Sequence, residues 1–189
     1  MKTLFCDFDD VICENTFVDL INNFLNSNYK FEDLKEGYDC SEFVKDKKTL
    51  TELYKFVIEN NFYNGAKLKP DCERVLKKLQ SEYEIYILSA CLVEGYEDFS
   101  NVIYKNKYDF IRKELPFINP KNLIFTNAKN VVFGDVMIDD RMMNLNGKFK
   151  TKLLFDCVYN KKYSDKQLES LDIKRVRNWK DIEQVLLKQ

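Results

Sequence analysis

Asp7 and Asp9 stand two residues apart at the end of the apolar run Leu4-Phe5-Cys6. If both stayed in an extended strand they would share one face, and two carboxylates that close drive each other's pKa apart. Such a pair suits a reaction in which one carboxylate stays ionised as nucleophile while the other holds a proton as acid. A strand entering a solvated acidic turn would show the same letters. Asp139-Asp140 closes a second apolar run, Val136-Met137-Ile138, and adds more carboxylate oxygen. Hard oxygens with no His or Cys partner suit Mg²⁺, which keeps several waters and completes its shell with carboxylates and a substrate phosphate. Ser89 ends a third run, Ile85 to Leu88, where a hydroxyl and the next backbone N–H could bind a phosphoryl oxygen. Lys129, in the link before the second run, is the obvious countercharge for the carboxylates and for a phosphate.

Apolar runs of this length read as strands buried on both faces of a parallel sheet covered by helices. In such sheets ligands sit just outside the carboxyl ends of the strands. Three strands that bring a carboxylate, a hydroxyl and a carboxylate pair to one edge therefore describe a reaction centre. The first strand spans about Thr3 to Phe8. Phe17, Leu20, Ile21, Phe24 and Leu25 then fall on one helix face. Thr49 and Glu52 make a capping-box pattern ahead of Leu53, Val57 and Ile58, and Asn64-Gly65 signals a turn. Pro70 could open a helix that buries Val75, Leu76 and Leu79, and a longer helix runs from about Asp98 to Glu114. Strands follow at Leu123 to Phe125, Val136 to Ile138 and Lys152 to Phe155, and Asn178 could cap a last helix that buries Trp179, Ile182, Val185 and Leu186. The alternation of strand and helix after residue 68 predicts a parallel α/β architecture.

With 189 residues, 45% of them hydrophobic, the chain can bury one full core. Thirty Lys plus Arg against 31 Asp plus Glu give a net charge of −1, which disfavours extended nucleic-acid binding but leaves room for a small phosphorylated ligand held by local charges. Histidine is absent, so a zinc site or a His-based triad is set aside. The six cysteines form no CxxC pair and, as free thiols, fit a cytoplasmic setting. Cys6 and Cys91, beside the proposed site, are expected to pack as small hydrophobes. Neither a signal peptide nor a membrane span of roughly 18 apolar residues is expected.

In order along the chain, Asp7-x-Asp9 after an apolar strand, strand-terminal Ser89, Lys129 and the Asp139-Asp140 pair resemble the four motifs of the haloacid dehalogenase superfamily of phosphatases. The segment from Leu123 to Arg141, with Lys129 and Asp135 inside it, resembles the corresponding stretch of the 5′(3′)-deoxyribonucleotidases, and Lys107-Tyr108-Asp-Phe-Ile-Arg resembles the helix just upstream in that family. The likeness covers the core well and residues 14–67 loosely. It implies a Rossmann-like parallel sheet flanked by helices, with the α/β core at residues 1–13 and 68–189 and a small helical cap at 14–67, inserted after the first strand.

Carried over, the resemblance makes Asp7 the nucleophile that forms an aspartyl-phosphate. Asp9 protonates the leaving oxygen and then activates water. Mg²⁺ is held by Asp7, the backbone carbonyl of Asp9 and Asp140, while Ser89 and Lys129 grip the phosphoryl oxygens. Asp139 is a second carboxylate that orients the ligands or binds the metal itself. Lys107 and Phe17 are possible substrate contacts, Lys107 being otherwise a solvated helix lysine and Phe17 otherwise cap core. Asp10 stands where a glycine is usual, Asn15 where the family has a base-contacting Phe, and Asn127 where it has an Arg. The leading expectation is a Mg²⁺-dependent phosphomonoesterase acting on deoxyribonucleoside 5′(3′)-monophosphates. The alternatives are a phosphatase of another small metabolite and a non-catalytic phosphate-binding regulatory domain of the same fold. A phospho-accepting receiver would be shorter and would lack a helical insert directly after its first strand.

Overall fold

The computed structural model describes residues 1–35, 39–93 and 95–187. Along the chain run β1 (Lys2–Cys6), β2 (Cys13–Glu14), α1 (Phe17–Leu25), α2 (Lys47–Glu59), β3 (Lys67–Leu68), α3 (Cys72–Leu79), β4 (Tyr83–Ser89) and α4 (Ser100–Glu114), then β5 (Leu123–Phe125), β6 (Phe133–Asp139), β7 (Lys148–Phe155), α5 (Asp165–Glu169), β8 (Ile173–Val176) and α6 (Trp179–Leu187). Six strands form one sheet in the order β5-β4-β1-β6-β7-β8, and every pair in it is parallel. The expected architecture is therefore the observed one.

The continuous apolar runs follow from burial on two faces. Leu4, Cys6, Ile85, Ile87, Val136 and Ile138 share one cluster with Val75, Leu76 and Leu79 of α3, Ile111 of α4, and Trp179 and Ile182 of α6. Phe5, Leu88, Met137 and Leu154, one residue out of step, point the other way and pack with Leu145 and Leu168. Trp179 is fully buried, and its indole N–H donates to Val11 O at 2.8 Å, tying α6 beneath the loop that follows β1.

Several boundaries differ from the sequence reading. β1 stops at Cys6 rather than Phe8, because the chain turns sharply: Ile12 and Cys13 N–H both donate to Phe8 O, and Asp10 sits at φ 61. Asp7 and Asp9 are consequently presented by a loop and not by two same-face strand positions. The cap of α2 is Asp46, whose carboxylate accepts the Thr49 N–H at 2.8 Å, so Thr49 lies inside the helix and the Thr49–Glu52 capping box does not form. α3 begins at Cys72, after Asp71, and α4 begins at Ser100 after a 3₁₀ turn. β7 starts four residues earlier than expected, at Lys148. α5 and β8 were not anticipated. β8 is a four-residue edge strand with Lys174 and Arg175 in its middle, a short charged edge that carries little periodicity. Asn178 does cap the last helix, accepting the Asp181 N–H at 3.0 Å.

Residues 14–67 hold α1 and α2 around a cluster of their own, with Phe17, Ile21, Leu34, Cys40, Leu53 and Val57 buried. The insert joins the core through the antiparallel ribbon of β2 and β3, where Cys13 faces Leu68 and Glu14 faces Lys67. Gly65, at φ 81, makes the turn expected at Asn64-Gly65.

Candidate active site

β1, β4 and β6 all end at the same edge, and their last residues meet there. Asp7 follows β1, is 6% exposed, and continues the ladder by donating its N–H to Ile138 O at 2.9 Å. Its Oδ1 accepts the Phe8 N–H at 2.7 Å and pairs with Lys129 Nζ at 2.7 Å. Burial works against the charge of Asp7, but Lys129, Lys107 and the Phe8 N–H outweigh it and hold its pKa below the usual value. Lys129 lies in a 3₁₀ turn between β5 and β6 and also reaches Asp139 Oδ2 at 2.8 Å. The two carboxylates hold its pKa above the ordinary lysine range despite burial.

Asp139 is fully buried and saturated: besides Lys129 it accepts from the Arg141 N–H at 2.8 Å and from Asn144 Nδ2 at 3.0 Å. Burial and the neighbouring Asp7 still push its pKa up to about 6. Asp140 is 2% exposed, and burial followed by Asp139, Asp7 and Asp10 pushes its pKa well up. Tyr159 bridges Asp140 and Asp10, donating to Asp140 Oδ2 and lying 2.8 Å from Asp10 Oδ2. Asn160 fixes the same loop through Nδ2 to Asp140 O at 2.8 Å.

Oxygens of Asp7, Asp139 and Asp140 lie within 4.8 Å of one another. Among the described residues Lys129 is the cation paired directly with this cluster. A set of close, buried, incompletely neutralised carboxylate oxygens fits a hard divalent cation.

On the other side of Asp7, Asp9 is held by the core and the insert together. Lys107 Nζ donates to Asp9 Oδ2, Ser89 Oγ and Ala90 O, each at 2.7 Å. Lys107 is 1% exposed and lies over the rings of Phe8 and Tyr63. It is therefore not a solvated helix lysine: it occupies the buried face of α4 with Ile103, Phe110 and Ile111. Burial opposes its charge, but Asp9, Cys91 and Asp7 outweigh burial and raise its pKa. Tyr63 OH donates to Asp9 Oδ1 at 2.9 Å, and Asn15 Nδ2 lies 3.4 Å from the same oxygen.

A cleft of about 680 Å³ opens over these groups, walled by the core edge and by Phe17, Asp39, Tyr54 and Phe62 of the insert. Cys91 also lines it, with a thiol that burial pushes up to about 11, so it packs as a neutral side chain, as does fully buried Cys6. Asn127 pins the rim by accepting the Leu92 N–H and donating to Leu92 O.

Direct contacts thus join Asp9, Ser89 and Lys107 in one group and Asp7, Lys129 and Asp139 in another, with Asp140 beside the second, and all but Asp139 line the one cleft. Phe17 borders the same cleft but is 4% exposed and packs edge-on against Phe62 within the insert's own cluster. Asn144, Tyr159 and Asn160 escaped the sequence reading, which offers Tyr63 only as an insert aromatic for base stacking or packing. Lys107 carried a clear signal, a cation at the i, i+3, i+4 spacing of an apolar helix face.

Residues 1–189 match the family model of the 5' nucleotidase, deoxy (Pyrimidine), cytosolic type C proteins. The chain is 30% identical over 161 residues to a 5'(3')-deoxyribonucleotidase of Clostridium acetobutylicum, covering 84% of each chain. It is 27% identical over 188 residues to a 5'(3')-deoxyribonucleotidase of Bacillus subtilis, covering 98% of this chain and 99% of that one. A haloacid dehalogenase-like family hydrolase from Streptococcus pneumoniae superposes with a TM-score of 0.52 at 15% identity, covering 100% of this chain and 99% of the other, a likeness of fold alone.

Proposed function

This chain belongs to the family of 5' nucleotidase, deoxy (Pyrimidine), cytosolic type C proteins, and on that premise we propose that it is a Mg²⁺-dependent phosphomonoesterase that dephosphorylates deoxyribonucleoside 5′(3′)-monophosphates through an aspartyl-phosphate on Asp7. The observation that carries the mechanism is the setting of Asp7: a nearly buried carboxylate, clamped on Oδ1 by Lys129 and a backbone N–H at the floor of a cleft. Oδ2 is left to attack phosphorus. Lys129 stays on Oδ1, which becomes the carbonyl oxygen of the acyl phosphate, and offsets charge on the phosphoryl group. Ser89, fully buried at the end of β4, offers its hydroxyl to a phosphoryl oxygen.

Asp9 delivers a proton to the leaving ester oxygen and takes one back from the water that hydrolyses the intermediate. The carboxylates of Asp7 and Asp140 and the backbone carbonyl of Asp9 are the groups that would hold the metal, and Asp139, already committed to Lys129, Asn144 and the Arg141 N–H, orients them. Bound there, Mg²⁺ supplies the positive charge that the carboxylates and the phosphate together require. Residues 14–67 act as a cap over the strand ends, excluding water and choosing the leaving group.

The substrate is a small nucleotide, and the free, buried thiols fit a cytoplasmic setting. No helix among the described residues is long and apolar enough to cross a membrane. The test is phosphate release from a panel of 5′-, 3′- and 2′-nucleoside and sugar monophosphates with Mg²⁺ and with chelator. Deoxyribonucleotides should lead the panel and chelation should stop turnover. A sugar phosphate as the best substrate would overturn the nucleotide assignment, and full activity in chelator would overturn the metal site.

A further inference from the structure

The two segments that carry the insert meet at Asp9. Beyond the β2–β3 ribbon, Thr16 closes the neck by donating its N–H to Phe62 O at 2.8 Å and its hydroxyl to the same oxygen at 3.0 Å. One residue to either side of this closure turns a polar group to one carboxylate oxygen: Asn15 on the outgoing segment, Tyr63 on the returning one, both at Asp9 Oδ1. The core takes the other oxygen through Lys107, which Ser89 and Ala90 O hold in place. Tyr63 cannot swing freely. It is 4% exposed, and its ring packs against Phe62 at 4.5 Å, Phe8 at 5.6 Å and Phe110 at 6.2 Å between centroids. A rigid aromatic stack therefore aims its hydroxyl.

We propose that Tyr63 is a positioning residue for proton delivery, its hydroxyl fixing the Asp9 carboxyl against the leaving oxygen, so that the neck of the insert shares control of leaving-group departure with the core. The inference rests on the phosphatase reading above. In the step concerned, the bond between Asp7 oxygen and phosphorus forms as the bond between phosphorus and the ester oxygen breaks. The electron pair goes to the ester oxygen, the Asp9 proton follows it, and the products are the free nucleoside hydroxyl and an Asp9 carboxylate. Tyr63 and Lys107 then donate to that carboxylate, the state in which their hydrogen bonds are strongest. This assistance matters when the leaving group is an alkoxide. It matters little when 4-nitrophenolate departs, since that anion needs no proton.

Tyr63→Phe removes one hydroxyl and keeps the ring stack. The expected result is a fall in kcat of about 10- to 100-fold on the preferred nucleoside monophosphate, the worth of a hydrogen bond to a charged group. KM for the nucleotide should hardly move, and kcat/KM for p-nitrophenyl phosphate, which reports only the steps up to departure of 4-nitrophenolate, should stay within about twofold. Across a series of aryl phosphates, the slope of log kcat/KM against leaving-group pKa should steepen in the variant. That slope is independent of how much folded protein a preparation contains. Equal losses on both esters, or an unchanged slope, would overturn the role of Tyr63. A wild-type protein inert toward every ester would overturn the phosphatase reading instead.

Discussion

Lys129→Met tests whether the site is held together by charge. The ammonium is 3% exposed and lies 2.7 Å from Asp7 and 2.8 Å from Asp139. Methionine fills much of the same volume, so the loss is mainly electrostatic. Removing one partner of a buried ion pair costs about 3–5 kcal/mol, because the charge left behind has neither water nor a counter-ion. In a chain of this size each kcal/mol moves Tm by about 2–4 °C, so Tm in EDTA should fall by about 6–20 °C. The fall should depend on pH. Lys129 opposes the burial and the Asp7 repulsion that already bring Asp139 up to about 6. Without Lys129 the Asp139 pKa rises further above its unfolded value, so the native state binds the extra proton and stability drops as pH increases. The deficit should thus be larger at pH 8 than at pH 5. Asp7→Asn in the same background removes one stranded charge and should recover about 1–3 kcal/mol, a coupling that independent sites would not show. Thermal unfolding followed by circular dichroism measures all four proteins. A Tm for Lys129→Met within about 2 °C of wild type, less than 1 kcal/mol at this size, would refute the reasoning, as would strict additivity in the double variant.

Asp7→Asn alone should abolish turnover while the protein still folds; retention of more than a few per cent of activity would instead favour direct attack by water. Phe17→Ala should cost about 3–5 kcal/mol as a large-to-small change and lower turnover of a nucleotide and of p-nitrophenyl phosphate alike; a KM increase confined to the nucleotide would make Phe17 a base contact. Far from the site, Lys150 and the Thr3 N–H hold Asp135 down to about 2. A depressed carboxylate adds stability that is present above its unfolded value of 3.8 and lost as pH falls towards 2. Asp135→Asn should therefore flatten the acid limb of a plot of urea midpoint against pH, and parallel curves for variant and wild type would contradict this.

The sheet was legible because parallel strands buried on both faces must be continuous apolar runs, and three of them end in residues that meet at the candidate site. What the letters could not show was the direction of the chain just past those ends. Two aspartates two apart imply a shared face only while the strand lasts, and β1 ends at Cys6. Lys107 was half legible, since a lysine among Ile103, Phe110 and Ile111 breaks a buried stripe, but its partners come from β4 and from the loop after β1. Tyr159 was not legible at all, and Tyr63 only as an aromatic of the insert, not as a partner of Asp9. Each lies far along the chain from the carboxylates it touches, and an exposed tyrosine would look the same in sequence.

Asp10 shows how one local feature brings these groups together. At φ 61 it adopts the left-handed conformation that glycine takes without penalty. For an L-residue this costs roughly 1–2 kcal/mol, and Asp is among the few that accept it, through local hydrogen bonds of a short polar side chain. Here Asp10 N–H donates to Cys13 O at 3.0 Å, and its carboxylate lies 2.8 Å from Tyr159 OH. The turn so made reverses the chain within a few residues of β1. It leaves Asp7 facing Lys129, sends Asp9 to Lys107 and Tyr63, and starts β2 back toward the insert. A glycine would make the same turn more cheaply but would take the Asp10 carboxylate away from Tyr159. The aspartate accepts strain and a like charge beside Asp140, and in return ties the loop after β7 to the loop after β1. The acid-bearing turn is therefore fixed from three sides: by β6 through Ile138, by the insert's neck through Tyr63, and by the β7 loop through Tyr159.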